Sequence, residues 1–141
     1  MIELFYYDGT IKKGEFSLLD KRTKSSKVWI DVTDITMEES LALAKMFQLH
    51  PLTVEDLRHY QTRIKVEEFQ NYLFCVFYGL KKDKKYSLQE IDFVLGKNFL
   101  ITNHSGRIDS FEHVKKNLDI VLPSFRKGVD FVFHKLLDQE I

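Results

Sequence analysis

Residues 63–102, RIKVEEFQNYLFCVFYGLKKDKKYSLQEIDFVLGKNFLIT, decide the fold. Short polar or glycine-containing segments divide this stretch into four runs that are rich in β-branched and aromatic residues, a pattern typical of strands separated by turns. The runs cover 63–69, 72–78, 86–95 and 99–102. In the first run the apolar Ile64 and Val66 alternate with charged residues, which predicts a half-buried strand. Because turns this short join antiparallel neighbours, the stretch predicts a four-stranded antiparallel meander.

Further strands are predicted ahead of the meander. Residues 2–7 run into Asp8-Gly9, which is a strong hairpin signal, and 10–18 would be the returning strand. Residues 20–27 contain no apolar side chain and indicate an exposed loop. The apolar density of 28–32 predicts a short strand that is buried on both faces.

Helical signals lie on both sides of the meander. Thr36 and Glu39 form a capping-box pattern, and Pro51 suits the first turn of a second short helix. The apolar residues of the first helix recur at helical spacing: Leu41, Ala44 and Phe47. The other helices are predicted over 52–59, over 109–118 and from about 128 onward. This order predicts the α/β class, with a mixed, largely antiparallel sheet covered by helices.

The composition excludes several classes of protein. With 141 residues, 44% of them hydrophobic, the chain is long enough to form one domain with its own core. Its 21 basic and 21 acidic residues balance, which disfavours a nucleic-acid binder because such proteins normally carry a basic excess. A single cysteine, Cys75, excludes an internal disulfide and a thiolate zinc site. Without a signal peptide or a 20-residue apolar run, we expect a soluble cytoplasmic domain.

Motifs for common enzyme chemistry are missing from the sequence. The six glycines form neither a P-loop nor a G-x-G-x-x-G pattern, and the five histidines show no H-x-x-x-H spacing. Cys75 lies in a predicted strand among Phe74, Val76 and Phe77, where an inert buried thiol is the ordinary expectation. Acidic residues are the remaining candidates, because Mg²⁺ favours carboxylate oxygens in loose, hydrated sites.

The last predicted helix carries an apolar stripe that is still in register at the final residue. No glycine or proline follows it, so we expect the helix to continue past residue 141. The stripe consists of Val129, Val132, Phe133, Leu136, Leu137 and Ile141.

Several phrases in combination resemble one family. They occur in the order WID at 29–31, FQLHPLTVEDL at 47–57, RIKVEEFQNY at 63–72 and DFVLGKNFLIT at 92–102. Together they resemble the N-terminal domain of the CorA family of magnesium transporters, from about Val28 to the end of the chain. The pore signature Gly-Met-Asn of that family and its membrane spans are absent from these 141 residues.

The resemblance implies a fold, a role and a set of site residues. It implies an α/β/α sandwich over residues 1–126, with 127–141 as the start of a stalk helix that leads to the membrane helices of a homopentamer. The domain would lie in the cytoplasm and sense intracellular Mg²⁺, or another divalent cation in its place, to gate transport rather than catalyse a reaction. Matching motif to motif, the acids that would hold the regulatory ion between neighbouring subunits are Glu55, Asp56 and Asp138.

Two alternatives remain open at this point. The same domain pattern occurs in zinc transporters of the ZntB type, and nothing in these residues separates the two decisively. From another class, a freestanding α/β enzyme with a carboxylate metal site would also fit a soluble domain of this composition.

Overall fold

A computed structural model describes residues 1–23, 25–60, 63–81 and 87–140. Within them a single seven-stranded sheet forms the centre of the molecule. The strands are β1 Ile2–Tyr7, β2 Ile11–Gly14, β3 Lys27–Thr33, β4 Lys65–Glu68, β5 Tyr72–Lys81, β6 Ser87–Gly96 and β7 Phe99–His104. The helices are α1 Met37–Phe47, α2 Pro51–Arg58, α3 Asp109–Lys116, α4 Leu122–Lys127 and α5 Val129–Glu140, with 3₁₀ turns at Phe16–Lys21 and Leu118–Ile120.

The sheet order is β2-β1-β3-β7-β6-β5-β4. Strands β3 and β7 pair in parallel, and every other pair is antiparallel. The predicted meander is therefore confirmed as β4 to β7. The fold class is also confirmed, because helices cover both faces of a mixed, largely antiparallel sheet.

Two hydrophobic cores lie on the two faces of the sheet. On one face, α1 and α2 pack through Leu43, Phe47 and Leu57. On the other, α3, α4 and α5 pack around Trp29, which stacks on Phe5. Strand β3 serves both cores because its residues are buried on both sides, as its apolar density predicted. Within the described residues, every helix is too short or too polar to cross a lipid bilayer.

The predicted apolar stripe of α1 is confirmed at Phe47 and Ala44, which pack in the core, but not at Leu41. The capping box of Thr36 and Glu39 is present as predicted, but the helix buries Leu43 at 0% exposure and leaves Leu41 at 56%. Two leucines two positions apart point to nearly opposite sides of a helix. Leu41 has an apolar residue three positions on, and Leu43 has one four positions on. The apolar spacing alone therefore does not show which of the two leucines is buried.

Strand β4 alternates as predicted, but its sides are reversed. Ile64 and Val66, expected to face the core, are 67% and 69% exposed. Lys65 instead lies on the face that α2 covers, where its ammonium pairs with Asp56. Because β4 is at the edge of the sheet and α5 packs on β3, β6 and β7, Val66 lies on a part of the sheet that these contacts do not cover.

Three local predictions need correction. The returning strand over 10–18 ends at Gly14 and gives way to the 3₁₀ turn. The exposed loop over 20–27 contains the buried Ser26, whose hydroxyl shares a hydrogen bond with Tyr6. Helix α4, with Pro123 in its first turn, was not predicted.

Other predictions fall partly outside the described residues. The polar turn after β5 and the first residue of the strand predicted over 86–95 lie in the undescribed segment 82–86. Helix α5 runs to Glu140, and its continuation past residue 141 and the domain boundary at 126 stay predictions.

A matched pair of leucines tests the rotation of α1. We expect Leu43→Ala to lower the free energy of unfolding by about 2–5 kcal/mol, because it leaves a cavity in a closed core. Leu41→Ala, on the same helix, should change it by no more than about 0.5 kcal/mol. Urea denaturation followed by circular dichroism measures both. Equal losses in the two variants would contradict the orientation of the helix.

Candidate functional site

The predicted regulatory acids Glu55 and Asp56 lie on α2, which begins with a well-anchored turn. The His50 ring accepts a hydrogen bond from the Leu52 amide at 3.1 Å, and Pro51 occupies the first helical turn. The hydroxyl of Tyr72, on β5, accepts from the His50 amide at 2.9 Å. Local sequence and one strand side chain thus fix the helix that carries both acids.

Asp56 already has a cationic partner within the chain. Its Oδ2 lies 2.7 Å from the Lys65 ammonium, which also lies 3.0 Å from Glu67 Oε1. The hydrogen bond with Asp56 is the main cause that raises the pKa of Lys65. Glu55 is exposed on the outer side of the helix. A metal ion at Asp56 would therefore compete with Lys65 for the carboxylate.

Asp138 lies far from this pair in the architecture. It is exposed on α5, whose apolar side packs against the sheet face opposite to the one that α2 covers. The described part of the chain contains no group of three or more His, Cys, Asp or Glu residues arranged to hold a metal ion. A site that includes both Asp56 and Asp138 would need a second subunit, and the assignment of the three acids stays a prediction.

A buried ionic network surrounds Asp31 and was not foreseen from the sequence. Asp31 Oδ1 accepts hydrogen bonds from Thr102 at 2.6 Å and from His104 Nε2 at 2.7 Å. The Lys115 ammonium pairs with Asp31 Oδ2 and lies 2.8 Å from Glu3 Oε1. The available signal was the single acid within an otherwise apolar strand, Val28–Val32.

The charges of this network compensate one another. Burial opposes ionisation of Asp31, but His104 and Lys115 outweigh it and hold the pKa of that carboxyl below its ordinary value. Both ring nitrogens of His104 lie 2.7 Å from an oxygen atom, Nε2 from Asp31 Oδ1 and Nδ1 from the Gly106 carbonyl. Because every partner is supplied by the chain itself, we interpret the network as structural.

A second buried polar cluster, which we call the interior acid cluster, consists of Glu90, Asp92 and Asn103. Asn103 Nδ2 donates to Asp92 Oδ2 at 3.1 Å and to the Leu57 carbonyl at 2.8 Å. The Tyr78 hydroxyl donates to Glu90 Oε1 at 3.0 Å. Among the described residues, Asp92 Oδ1 and Asn103 Oδ1 meet no hydrogen-bond donor.

Electrostatics in the interior acid cluster favour the protonated state. Burial, the charge of Glu90 and a hydrogen bond with Glu90 raise the pKa of Asp92 to about 9. Burial and the carboxylates of Asp92 and Asp34 raise the pKa of Tyr60 to about 12. The sequence signal was again an acid in a strand that is otherwise apolar, at 91–95.

The sequence pattern of the family described as "CorA-like Mg2+ transporter protein" matches residues 24–141. The chain belongs to this family. The match covers β3, both acids of α2, the meander and the helices that follow, so it includes every element that carries a predicted site residue. The family named by the sequence resemblance is therefore confirmed.

The curated relatives are transporters whose chains are longer than this one. The chain is 32% identical over 114 residues to the magnesium transporter ALR1 of Saccharomyces cerevisiae, covering 78% of this chain and 13% of that protein. It is 28% identical over 127 residues to the cobalt/magnesium transport protein CorA of Thermotoga maritima, covering 86% of this chain and 36% of that one. The chain thus spans about a third or less of these relatives.

Solved structures share the fold. The soluble domain of CorA from Methanocaldococcus jannaschii superposes with a TM-score of 0.74 at 22% identity, over 99% of this chain and 55% of that one. The ZntB cytoplasmic domain from Vibrio parahaemolyticus gives a TM-score of 0.73 at 10% identity, over 99% and 57%. The fold is thus common to CorA and ZntB domains.

Because Asp92 is protonated, we expect the free energy of unfolding, measured in the presence of a chelator such as EDTA, to depend on pH. Between about pH 5 and 8 the native chain keeps this proton, whereas the unfolded chain has lost it, so stability from this group is complete at low pH and falls as pH rises. The expected slope is about 1.4 kcal/mol per pH unit, and Asp92→Asn should remove it. Urea unfolding across this range measures it. Exposed Asp119→Asn should keep the wild-type slope; equal slopes in wild type and Asp92→Asn would refute the protonated state.

Proposed function

We propose that the chain is the cytoplasmic, regulatory part of a CorA-type Mg²⁺ transporter, and that it responds to intracellular Mg²⁺ at contacts between subunits of a homopentamer. The observation that carries the proposal is the position of Glu55 and Asp56. Both are held on a firmly anchored helix within the part of the chain that matches the family. The named relatives are transporters, which disfavours the freestanding enzyme.

The gating step rests on repulsion between carboxylates of neighbouring subunits. An acid of one subunit about 6 Å from Asp56 of the next, at an effective dielectric of about 20, would repel it by roughly 3 kcal/mol before screening. A hydrated Mg²⁺ between them converts this repulsion into attraction and holds the closed state. Moving a two-state equilibrium from 99:1 to 1:99 takes about 5.5 kcal/mol, so one interface is too weak but a ring of such interfaces is sufficient.

Lys65 lowers the repulsion that this mechanism requires. Its ammonium lies 2.7 Å from Asp56, so part of the negative charge is already neutralised before any ion binds. Mg²⁺ must therefore displace the ammonium or share the carboxylate with it. We infer that Lys65 sets the cation concentration at which the switch responds, by competing for the same oxygen atoms.

A zinc transporter is the second candidate function. It is favoured by the similarity to the ZntB cytoplasmic domain, whose TM-score is close to that of the CorA soluble domain. Uptake assays with ²⁸Mg²⁺ and ⁶⁵Zn²⁺ in cells that express the complete reading frame distinguish the two. Uptake of Mg²⁺ alone supports the first proposal, and uptake of Zn²⁺ alone supports the second. A reading frame without two apolar spans of about 20 residues would refute both.

Charge variants at Asp56 test the proposed switch in the complete transporter. We expect Asp56→Asn to weaken the protection against proteolysis that Mg²⁺ gives to the closed state. Lys65→Met should act in the opposite direction, lowering the Mg²⁺ concentration at half protection by about fivefold, because a partly exposed ion pair is worth about 1 kcal/mol at most. Limited trypsin digestion across a Mg²⁺ series measures both.

The matched control is Lys97→Met, which removes the same charge from the exposed turn between β6 and β7. It should leave the Mg²⁺ dependence of protection at the wild-type value. If Asp56→Asn, Glu55→Gln and Asp138→Asn all keep wild-type protection, the three carboxylates are a solvated surface and the proposed sensor is wrong.

A further inference from the structure

The interior acid cluster has the features of an ion-binding site that is separate from the predicted surface acids. Glu90 and Asp92 are two residues apart on β6 and therefore point to the same face of the sheet. Asn103 is directly opposite Asp92 in the β6–β7 register. All three side chains are buried, and the carbonyl end of α2, at Leu57, closes the cluster from above.

The unpartnered oxygen atoms are the decisive observation. Asn103 donates through Nδ2 to two acceptors, so its orientation is fixed and its Oδ1 must be an acceptor. This oxygen and Asp92 Oδ1 are fully buried and meet no donor within the described residues. Leaving a buried acceptor unsatisfied costs about 1–3 kcal/mol. A proton shared by Asp92 and Glu90 can satisfy the first carboxyl, but it leaves the Asn103 oxygen unpaired.

We propose that Glu90, Asp92 and Asn103 bind a divalent cation of the Mg²⁺ and Mn²⁺ class inside the domain. The donors are carboxylate and amide oxygen atoms without nitrogen or sulfur, which is the set that these hard cations prefer. Two carboxylates supply the charge that a divalent ion needs, and the ion also satisfies the Asn103 oxygen, which a proton shared by the two acids leaves unpaired. The proposal uses none of Glu55, Asp56 or Asp138, and it does not rest on the proposed gating role.

A cleft adjoins the cluster at Glu90. It has a volume of ≈ 260 Å³ and is lined in part by Glu90, Tyr60, Tyr78 and Ser105. Such a volume holds several water molecules, and Mg²⁺ usually retains part of its hydration shell in proteins. Lys81 also lines the cleft, but it is exposed, so its ammonium can remain in bulk water.

The charges around Asp92 also favour a cation. Among the described residues, its neighbours with charged or titratable groups include Glu90 on the same strand, Asp56 on α2, Tyr60 after α2 and Tyr78 on β5. Each of these groups is a carboxyl or a phenol, so none of them repels a cation bound at Asp92.

Titration of the 141-residue chain with Mn²⁺ tests the site. Electron paramagnetic resonance of free Mn²⁺ gives the dissociation constant, and paramagnetic broadening of amide signals gives the location. We expect one Mn²⁺ to broaden the signals of β6 and β7 around Asp92 and Asn103 first, and Mg²⁺ to reverse the broadening. Asp92→Asn and Glu90→Gln should each raise the dissociation constant by about tenfold or more. Exposed Asp119→Asn should stay within about twofold of wild type.

The outcomes separate the alternatives. Binding that persists in both interior variants, or broadening centred on the acids of α1, α2 or α5, would overturn the proposal and indicate surface acids. Absence of binding up to millimolar Mn²⁺ at pH 8 would overturn it too, leaving a carboxyl pair that only shares a proton. If one interior variant fails to fold in circular dichroism, the other still decides, because each removes one of the two carboxylates.

Discussion

The buried carboxylate of Asp31 holds the two halves of the chain together. It lies on β3, accepts hydrogen bonds from Thr102 and His104 on β7, and pairs with Lys115 on α3. The parallel β3–β7 pair joins strands about 70 residues apart, so it receives no help from a local turn. Burying an ionised carboxylate this deeply costs free energy unless it is fully paired. The arrangement of β3, β7 and α3 that supplies its partners is therefore more stable than arrangements that leave it unpaired. The rest of the sheet extends from this pair.

The two buried acids of the sheet illustrate two ways of managing charge. Asp31 has three donors, one of which is the cationic Lys115, so its carboxylate is stabilised in the ionised form. Asp92 has one amide donor and faces a second acid, Glu90, so it keeps a proton. Both residues interrupt an apolar strand, and sequence alone gives them the same appearance. Only the partners that the fold brings from other elements make one a structural tie and the other a candidate ion site.

Local signals were enough to predict much of the architecture. The capping box at Thr36, the turn-bounded strands of the meander and the apolar run Val28–Val32 each depend on neighbouring residues alone, and each was found as predicted. The side that an element buries depends on distant residues. Lys65 points inward on β4 because its ammonium pairs with Asp56 on α2. The alternation of residues within β4 gives no information about that partner. The interior acid cluster was not predicted for the same reason. Strand β6 supplies its two acids, β7 supplies Asn103, and α2 supplies the carbonyl to which Asn103 donates.

Helix α2 connects the predicted surface site with the interior acid cluster. Its outer side carries Glu55. On its inner side, the Leu57 carbonyl accepts a hydrogen bond from Asn103, and the charge of Asp56 contributes to the raised pKa of Asp92. Electrostatic coupling between two sites is reciprocal, so under the proposed binding of a cation at Asp56 the state of the interior cluster would alter the affinity for that cation by the same free energy. The sign follows from charge: a divalent ion that replaces a proton makes the interior more positive and weakens binding at the surface. Any sensor built on Asp56 therefore responds to a potential that the interior of its own domain helps to set.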